Sequence, residues 1–213
     1  RKVEFLKSVE VGENIRKKAC DLKTGEVFFK KGRQLSSADI GLCASVGKVS
    51  MQVYEKITVG VFSTGDELKQ PGEKLERGQL FDSNRPMIIN CVKNMGINCI
   101  DFGCLPDRLK ATVKALKTAS EKVDAIITCG GVSVGEEDHL KDAVKELGEL
   151  RLWKINMKPG KPFAFGKVGK TAYLGLPGNP VSAWVTFSLL CRPFILKLNG
   201  MELGKTLFTM ART

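Results

Sequence analysis

The sequence has little of what several enzyme classes require. Histidine occurs once, at His139. The segment Gly131-Val132-Ser133-Val134-Gly135 matches the G-x-S-x-G nucleophile elbow. Its base must come from a later loop, yet His139 opens the very helix that follows, so a Ser–His–Asp triad cannot form. Neither a Walker-A loop nor G-x-G-x-x-G is present, which sets aside the common nucleotide folds. Aromatic residues make up 7% of the chain and are not interleaved with a basic patch, which argues against single-strand nucleic-acid binding. The net charge is +11, but no run of five or more like charges occurs. A nucleic-acid arm is therefore not expected, and the diffuse positive field suits an anionic small substrate. Seven cysteines form no C-x-x-C pair, so neither a zinc site nor a disulfide framework is expected, and a reducing, cytoplasmic setting fits. All seven are read by default as small buried apolar residues. The longest apolar stretch, near Ala183–Cys191, is too short to span a bilayer, and no membrane partner is expected. No signal peptide opens the chain; it starts at Arg1, so a piece of a longer protein is expected.

What is present is a repeated local pattern. Three apolar runs lead into glycine-rich polar loops and then helices: Ile57–Phe62 into Ser63-Thr64-Gly65-Asp66-Glu67, Val123–Thr128 into Gly130–Gly135, and Ala172–Leu176 into Pro177-Gly178-Asn179-Pro180. Continuous apolar runs of this length suit parallel strands covered on both faces. In a parallel sheet such loops meet at the carboxyl ends of the strands, where backbone N–H groups and helix N-termini favour anions. A further strand is expected over Ile97–Gly103. Helices are expected over Ser36–Val46, from about Pro86 to Met95 behind the capping run Asp82-Ser83-Asn84, and over 108–119, 137–147 and 180–198. The expected fold is α/β, a mostly parallel sheet between helical layers. Residues 1–56 form a small β-containing region with one short helix, 57–200 the α/β domain, and 201–213 the start of another unit.

Leu152–Lys158 alternates cleanly, with Trp153, Ile155 and Met157 on one face of an expected strand and Lys154, Asn156 and Lys158 on the other. Surface lysines are usually just solvated. Here a shared polar face, followed at once by the rigid turn Pro159-Gly160-Lys161-Pro162, favours paired ammonium groups for a dianion. Asp66, Asp107 and Asp138 each follow a strand. Taken singly each is an ordinary helix cap, whereas together with Glu67 in one crevice they offer hard oxygen ligands for Mg²⁺.

The runs Ser63–Leu68, Asp82-Ser83-Asn84, Gly130–Gly135 with Asp138, Lys158–Pro162 and Gly175–Ser182 resemble the molybdopterin molybdenumtransferase family, which includes bacterial cofactor-synthesis enzymes and gephyrin-type E domains. The likeness runs from Gly12 to about Gly200; Ala19-Cys20-Asp21 departs from that family's glycine-glutamate-aspartate. The resemblance implies a three-layer α/β/α molybdopterin-binding domain preceded by part of an elongated N-terminal region. It also implies insertion of molybdate into adenylylated molybdopterin with release of AMP, assisted by Mg²⁺. By the same resemblance Glu67, Asp107, Asp138, Lys154 and Lys158 are catalytic, and Glu67 and Asp138 hold the metal. Ser63, Thr64, Gly65, Asp82, Ser83, Asn84, Gly130, Gly131, Ser133, Gly135, Pro177, Gly178, Asn179 and Pro180 bind substrate. A homodimer and a molybdopterin adenylyltransferase partner are implied as well. Two other readings are an adenylyltransferase, which residues 1–55 argue against, and a non-enzymatic gephyrin-like scaffold.

Overall fold

The computed structural model describes residues 2–4, 6–132 and 139–204, apart from the side chain of Trp153. In chain order the elements are α1 (Ser37–Ser45), β1 (Thr58–Thr64), β2 (Leu68–Lys69), β3 (Leu80–Phe81), α2 (Asn84–Asn94), β4 (Asn98–Leu105), α3 (Leu109–Ser120) and β5 (Ala125–Cys129). There follow α4 (His139–Leu147), β6 (Gly148–Lys154), β7 (Pro162–Val168), β8 (Thr171–Leu176), α5 (Pro180–Thr186) and α6 (Arg192–Leu198), the last two joined by a π-helical turn over Phe187–Cys191.

Six strands form one sheet in the order β4-β1-β5-β8-β7-β6. The first four are mutually parallel, while β7 runs antiparallel to β8 and β6 antiparallel to β7. Burial explains why the parallel strands read as unbroken apolar runs: every residue of β5 and β8 is buried. Their side chains alternate between two cores. Ala125, Ile127, Leu174 and Leu176 join Ile88 and Val92 of α2 with Ala183, Phe187, Cys191 and Ile195 of the last helix. Ile126 and Tyr173 join Leu116 of α3 and Leu140, Ala143 and Val144 of α4. The result is the expected three layers, helix, sheet and helix.

The hairpin differs from expectation. Of the strand expected over 152–158 only 152–154 form, as the end of β6, which pairs there with Pro162; the Ile155 N–H donates to the Lys161 carbonyl at 3.0 Å to close the turn. The alternation in sequence reflects side-chain burial in the turn, with Ile155 and Met157 half-buried and Asn156 and Lys158 exposed, rather than backbone pairing. Its partner β7 went unanticipated, because Pro162 opens it and Gly166 interrupts it. Residues before Thr58 also differ: among the described ones there is α1 and no strand. Val3, Val9, Val11 and Val49 stay exposed. Of the cysteines, Cys43, Cys129 and Cys191 are buried, whereas Cys20 and Cys104 are exposed, so the default holds only in part.

The helix from Pro180 to Leu198 is continuous and, by length and composition, apolar enough to cross a membrane. Its buried residues Ala183, Phe187, Cys191 and Ile195 nevertheless pack on the sheet as part of the core. The π turn, in which Arg192 N–H reaches back to the Phe187 carbonyl, stands just before Pro193, whose missing N–H an α-helical bond would have needed.

Two charged clusters fix local geometry. Arg85, 6% exposed, is bound by the buried Asp82 at 2.8 Å and also by Asp101 of β4 and Gln70. Asp101 accepts the Gly103 N–H at 2.9 Å inside the β4 bulge, so one guanidinium joins three chain segments. Ser36 and Asp39 cap α1 reciprocally, and Arg33 pairs with Asp39 at 2.8 Å.

Removing a buried ion's partner leaves a charge without compensation. Arg85→Met is therefore expected to lower unfolding free energy by about 3 kcal/mol, read from urea denaturation midpoints. The double change Arg85→Met with Asp82→Leu is expected to cost less than Arg85→Met alone. The Arg33 guanidinium and the Ser36 N–H hold the Asp39 carboxyl down at about 2, against an ordinary 3.8. A carboxyl lowered by folding stabilises above its ordinary value and loses that contribution as the pH falls through the lowered one. Protection of the α1 amides, taken relative to their intrinsic exchange rates, should thus fall between pH 4 and pH 2, and Asp39→Asn should abolish that fall.

Candidate functional site

The chain steps from β1 out to β4 and then crosses to β5 on the other side of β1. Connections therefore leave β1 and β5 in opposite directions, and a crevice opens at their carboxyl ends, the usual place for a ligand in such sheets. Because β6 lies antiparallel to β7 and β7 to β8, Lys154 at the end of β6 reaches the same edge as the ends of β1, β5 and β8. The lysine turn thus joins the three glycine-rich loops although its hairpin is antiparallel.

The floor of the crevice is backbone against backbone. A Cβ at Gly130, whose φ is +96°, would stand 2.7 Å from Thr64 Oγ1 and 3.0 Å from the Thr64 carbonyl oxygen. Only glycine allows β1 and β5 to close at that point. The Gly130 N–H donates to the Leu176 carbonyl at 2.9 Å, so it is committed to tying the loop to β8 rather than to an anion. Asn84, at the start of α2, donates from Nδ2 to the Gly178 carbonyl at 2.7 Å and links that helix to the loop 177–180. Asn179 caps α5 by accepting the Ser182 N–H at 3.2 Å, with Pro180 at the first helical position.

The described candidates fall into two groups. Ser63, Thr64, Gly65, Asn84, Gly130, Gly131, Pro177 and Gly178 come together around the floor. Ser63 is fully buried, and its Oγ and the Asn84 Oδ1 are buried without hydrogen-bond partners. Glu67 is exposed and turns its carboxylate back over Gly65, with Oε2 only 2.5 Å from where a Gly65 Cβ would stand. Lys154 and Lys158 are exposed on the hairpin at the same edge. The second group lies apart or is occupied. Asp82 spends both oxygens on Arg85, one on its N–H at 3.1 Å and one on its side chain, so it shapes the loop. Ser83 is exposed and makes no side-chain cap bond to α2. Asp107 is exposed beyond the edge strand, and α3 is capped at Arg108 without a side-chain bond, so the simple capping role is not realised. Ser133, Gly135 and Asp138 lie outside the described residues. Among the described residues no group of three or more His, Cys, Asp or Glu gathers as a metal cage.

Two neighbours of the site were not anticipated. Arg85 follows Asp82 by three residues, a spacing that suits an ion pair at a helix start and would have flagged it. Cys104, opposite Ser63 in the β4 register, donates to the Gly65 carbonyl at 3.6 Å, and burial pushes its thiol up. A thiol shifted that way is no activated nucleophile.

Residues 60–197 match the family described as a probable molybdopterin binding domain, and residues 1–47 match the MoeA N-terminal region, domains I and II. The molybdopterin molybdenumtransferase of Haemophilus influenzae is 42% identical over 203 residues, which covers 95% of this chain and 50% of that protein. Drosophila melanogaster molybdenum cofactor synthesis protein cinnamon is 36% identical, covering 94% of this chain and 33% of that one. The crystal structure of the Pyrococcus horikoshii molybdopterin biosynthesis MoeA protein aligns with a TM-score of 0.68 at 27% identity over 85% of this chain and 43% of its own. The Thermus MoaB structure, at 22% identity and a TM-score of 0.52, shares the fold and is covered over 96% of its length. The chain spans about half the length of the bacterial transferase relatives it matches. The matched domain, its two-sided core and the crevice between β1 and β5 agree: the chain belongs to the molybdopterin-binding domain family of molybdenum cofactor biosynthesis.

Proposed function

We propose that the protein inserts molybdate into adenylylated molybdopterin and releases AMP. The observation that carries this reading is the meeting of the glycine floor, the Glu67 carboxylate and the Lys154–Lys158 hairpin at one sheet edge, in a chain 42% identical to a molybdopterin molybdenumtransferase. The match of residues 1–47 to the MoeA N-terminal region favours the transferase over an adenylyltransferase.

In this reading the floor from Ser63 to Gly65 with Gly131 receives the pterin and its phosphates, the glycines being what lets Glu67, Thr64 and Leu140 close around it. The N-terminus of α2 and the Asn84–Gly178 bond fix the walls. Lys154 and Lys158 attract molybdate and offset its two negative charges next to the dithiolene sulfurs that receive it. Glu67 supplies an exposed hard-oxygen donor with no cationic partner among the described residues, which fits Mg²⁺, and Asp138 is proposed as its companion. Bound there, Mg²⁺ would neutralise charge on the phosphoanhydride. Asp107 is proposed to act from the rim.

Lys154→Ala and Lys158→Ala should each raise the molybdate concentration needed for half-maximal AMP release by about tenfold, roughly 1.4 kcal/mol for one charge-assisted contact. Affinity for adenylylated molybdopterin should stay nearly unchanged; an equal loss there would assign the lysines to the wrong ligand. Asp138→Asn keeps shape and removes charge, so Mg²⁺-dependent AMP release should disappear at an unaltered melting temperature. An unchanged magnesium titration would take Asp138 out of the metal site.

A further inference from the structure

Thr186, the last residue of α5, is fully buried, and its Oγ1 has no hydrogen-bond partner. A helical threonine commonly relieves its hydroxyl on the carbonyl one turn earlier, here that of Ser182. What lies against this hydroxyl is instead the backbone of the lysine turn. A Cβ built on Gly160 would stand 2.4 Å from Thr186 Oγ1, 2.7 Å from Met157 Cε and 3.7 Å from the Ser182 carbonyl oxygen. Gly160 is buried with φ +108°, so neither the space nor the conformation admits a side chain.

The rest of the turn is lightly held. Its base is closed by the Lys154–Pro162 register pair and the Ile155–Lys161 bond. Beyond that base, Ile155 packs on the core beside α5 and Gly160 lies against Thr186 and Ser182 of that helix, while Asn156 and Lys158 are exposed. A lysine on such a turn moves with the backbone beneath it.

We propose that Gly160 and Thr186 form the seat that sets the height of the lysine turn over the crevice, and that they are positioning residues for Lys158. This rests on the reading of Lys158 as a molybdate contact. The bare glycine lets the turn settle directly on α5, the helix that starts from the loop 177–180, so the lysine and that loop share one rigid support. Any group inserted between Gly160 and Thr186 lifts the turn and carries Lys158 with it.

The test measures AMP release against molybdate concentration, together with amide exchange over 155–161. Gly160→Ala inserts a methyl from the turn side. Thr186→Ile inserts bulk from the helix side and leaves the glycine conformation untouched, so it serves if Gly160→Ala fails to fold. Each should raise the half-saturating molybdate concentration on the order of tenfold, leave affinity for adenylylated molybdopterin unchanged, and speed exchange in the turn. Adding Thr186→Ala to Gly160→Ala removes the obstructing hydroxyl and should recover part of both effects, the remainder coming from the backbone at φ +108° and the Met157 contact. A folded double variant with no recovery would assign the damage to backbone strain at Gly160 and overturn the seat. So would normal molybdate dependence in Thr186→Ile while Lys158→Ala is impaired. If Lys158→Ala itself responds normally to molybdate, the assignment of the lysine fails, and that outcome is distinct from failure of the seat.

Discussion

Parallel pairing of β1 with both β4 and β5 is the constraint from which the site follows. A parallel neighbour cannot be reached by a tight turn, so the chain must cross the sheet through a helix each time. Crossing first to one side of β1 and then to the other parts the two connections and leaves a crevice between them. The same crossings lay α2 with the last helix on one face, and α3 with α4 on the opposite face. Core, layers and crevice are three results of one pairing choice.

Charge burial is used sparingly and at one place that matters. Arg85 is nearly inaccessible, and burying a guanidinium is costly unless its donors are matched. It is matched by Asp82, Asp101 and Gln70, which come from separate stretches of chain. The start of α2 with Asn84, the bulge of β4 and the segment after β2 therefore hold a common geometry. That leaves the Asn84 amide free to bridge to Gly178 across the crevice.

Much of this was legible in the residues. Val123–Thr128 and Ala172–Leu176 read as buried parallel strands because both faces are covered, and the helix expected over Ser36–Val46 is found as α1. The convergence of three loops followed from strand direction alone. The hairpin was misplaced because alternating burial and strand pairing leave the same trace in sequence, and the partner strand that decides between them begins with a proline. The engagement of Asp82 with Arg85 was missed because an aspartate before a helix reads first as a cap. Contacts between backbone and backbone, such as Gly130 on Thr64, leave only a glycine behind, which marks a close approach without naming the neighbour.

The π turn before Pro193 has a consequence for phase. Ala183, Phe187, Cys191 and Ile195 recur every four residues, whereas an α-helix turns in 3.6. Each step of four overshoots by about 40°, so an uninterrupted helix would set Ile195 about 120° away from Ala183. The wider turn over Phe187–Cys191 absorbs the excess and returns α6 to the sheet. Beyond α6, Asn199 accepts the Ile57 N–H and Glu202 donates to the Gly32 carbonyl, the stitches that hold the amino-terminal region to this end of the domain. One loosened helical turn thus keeps in step not only a core stripe but also the seam between the first fifty-odd residues and the rest of the chain.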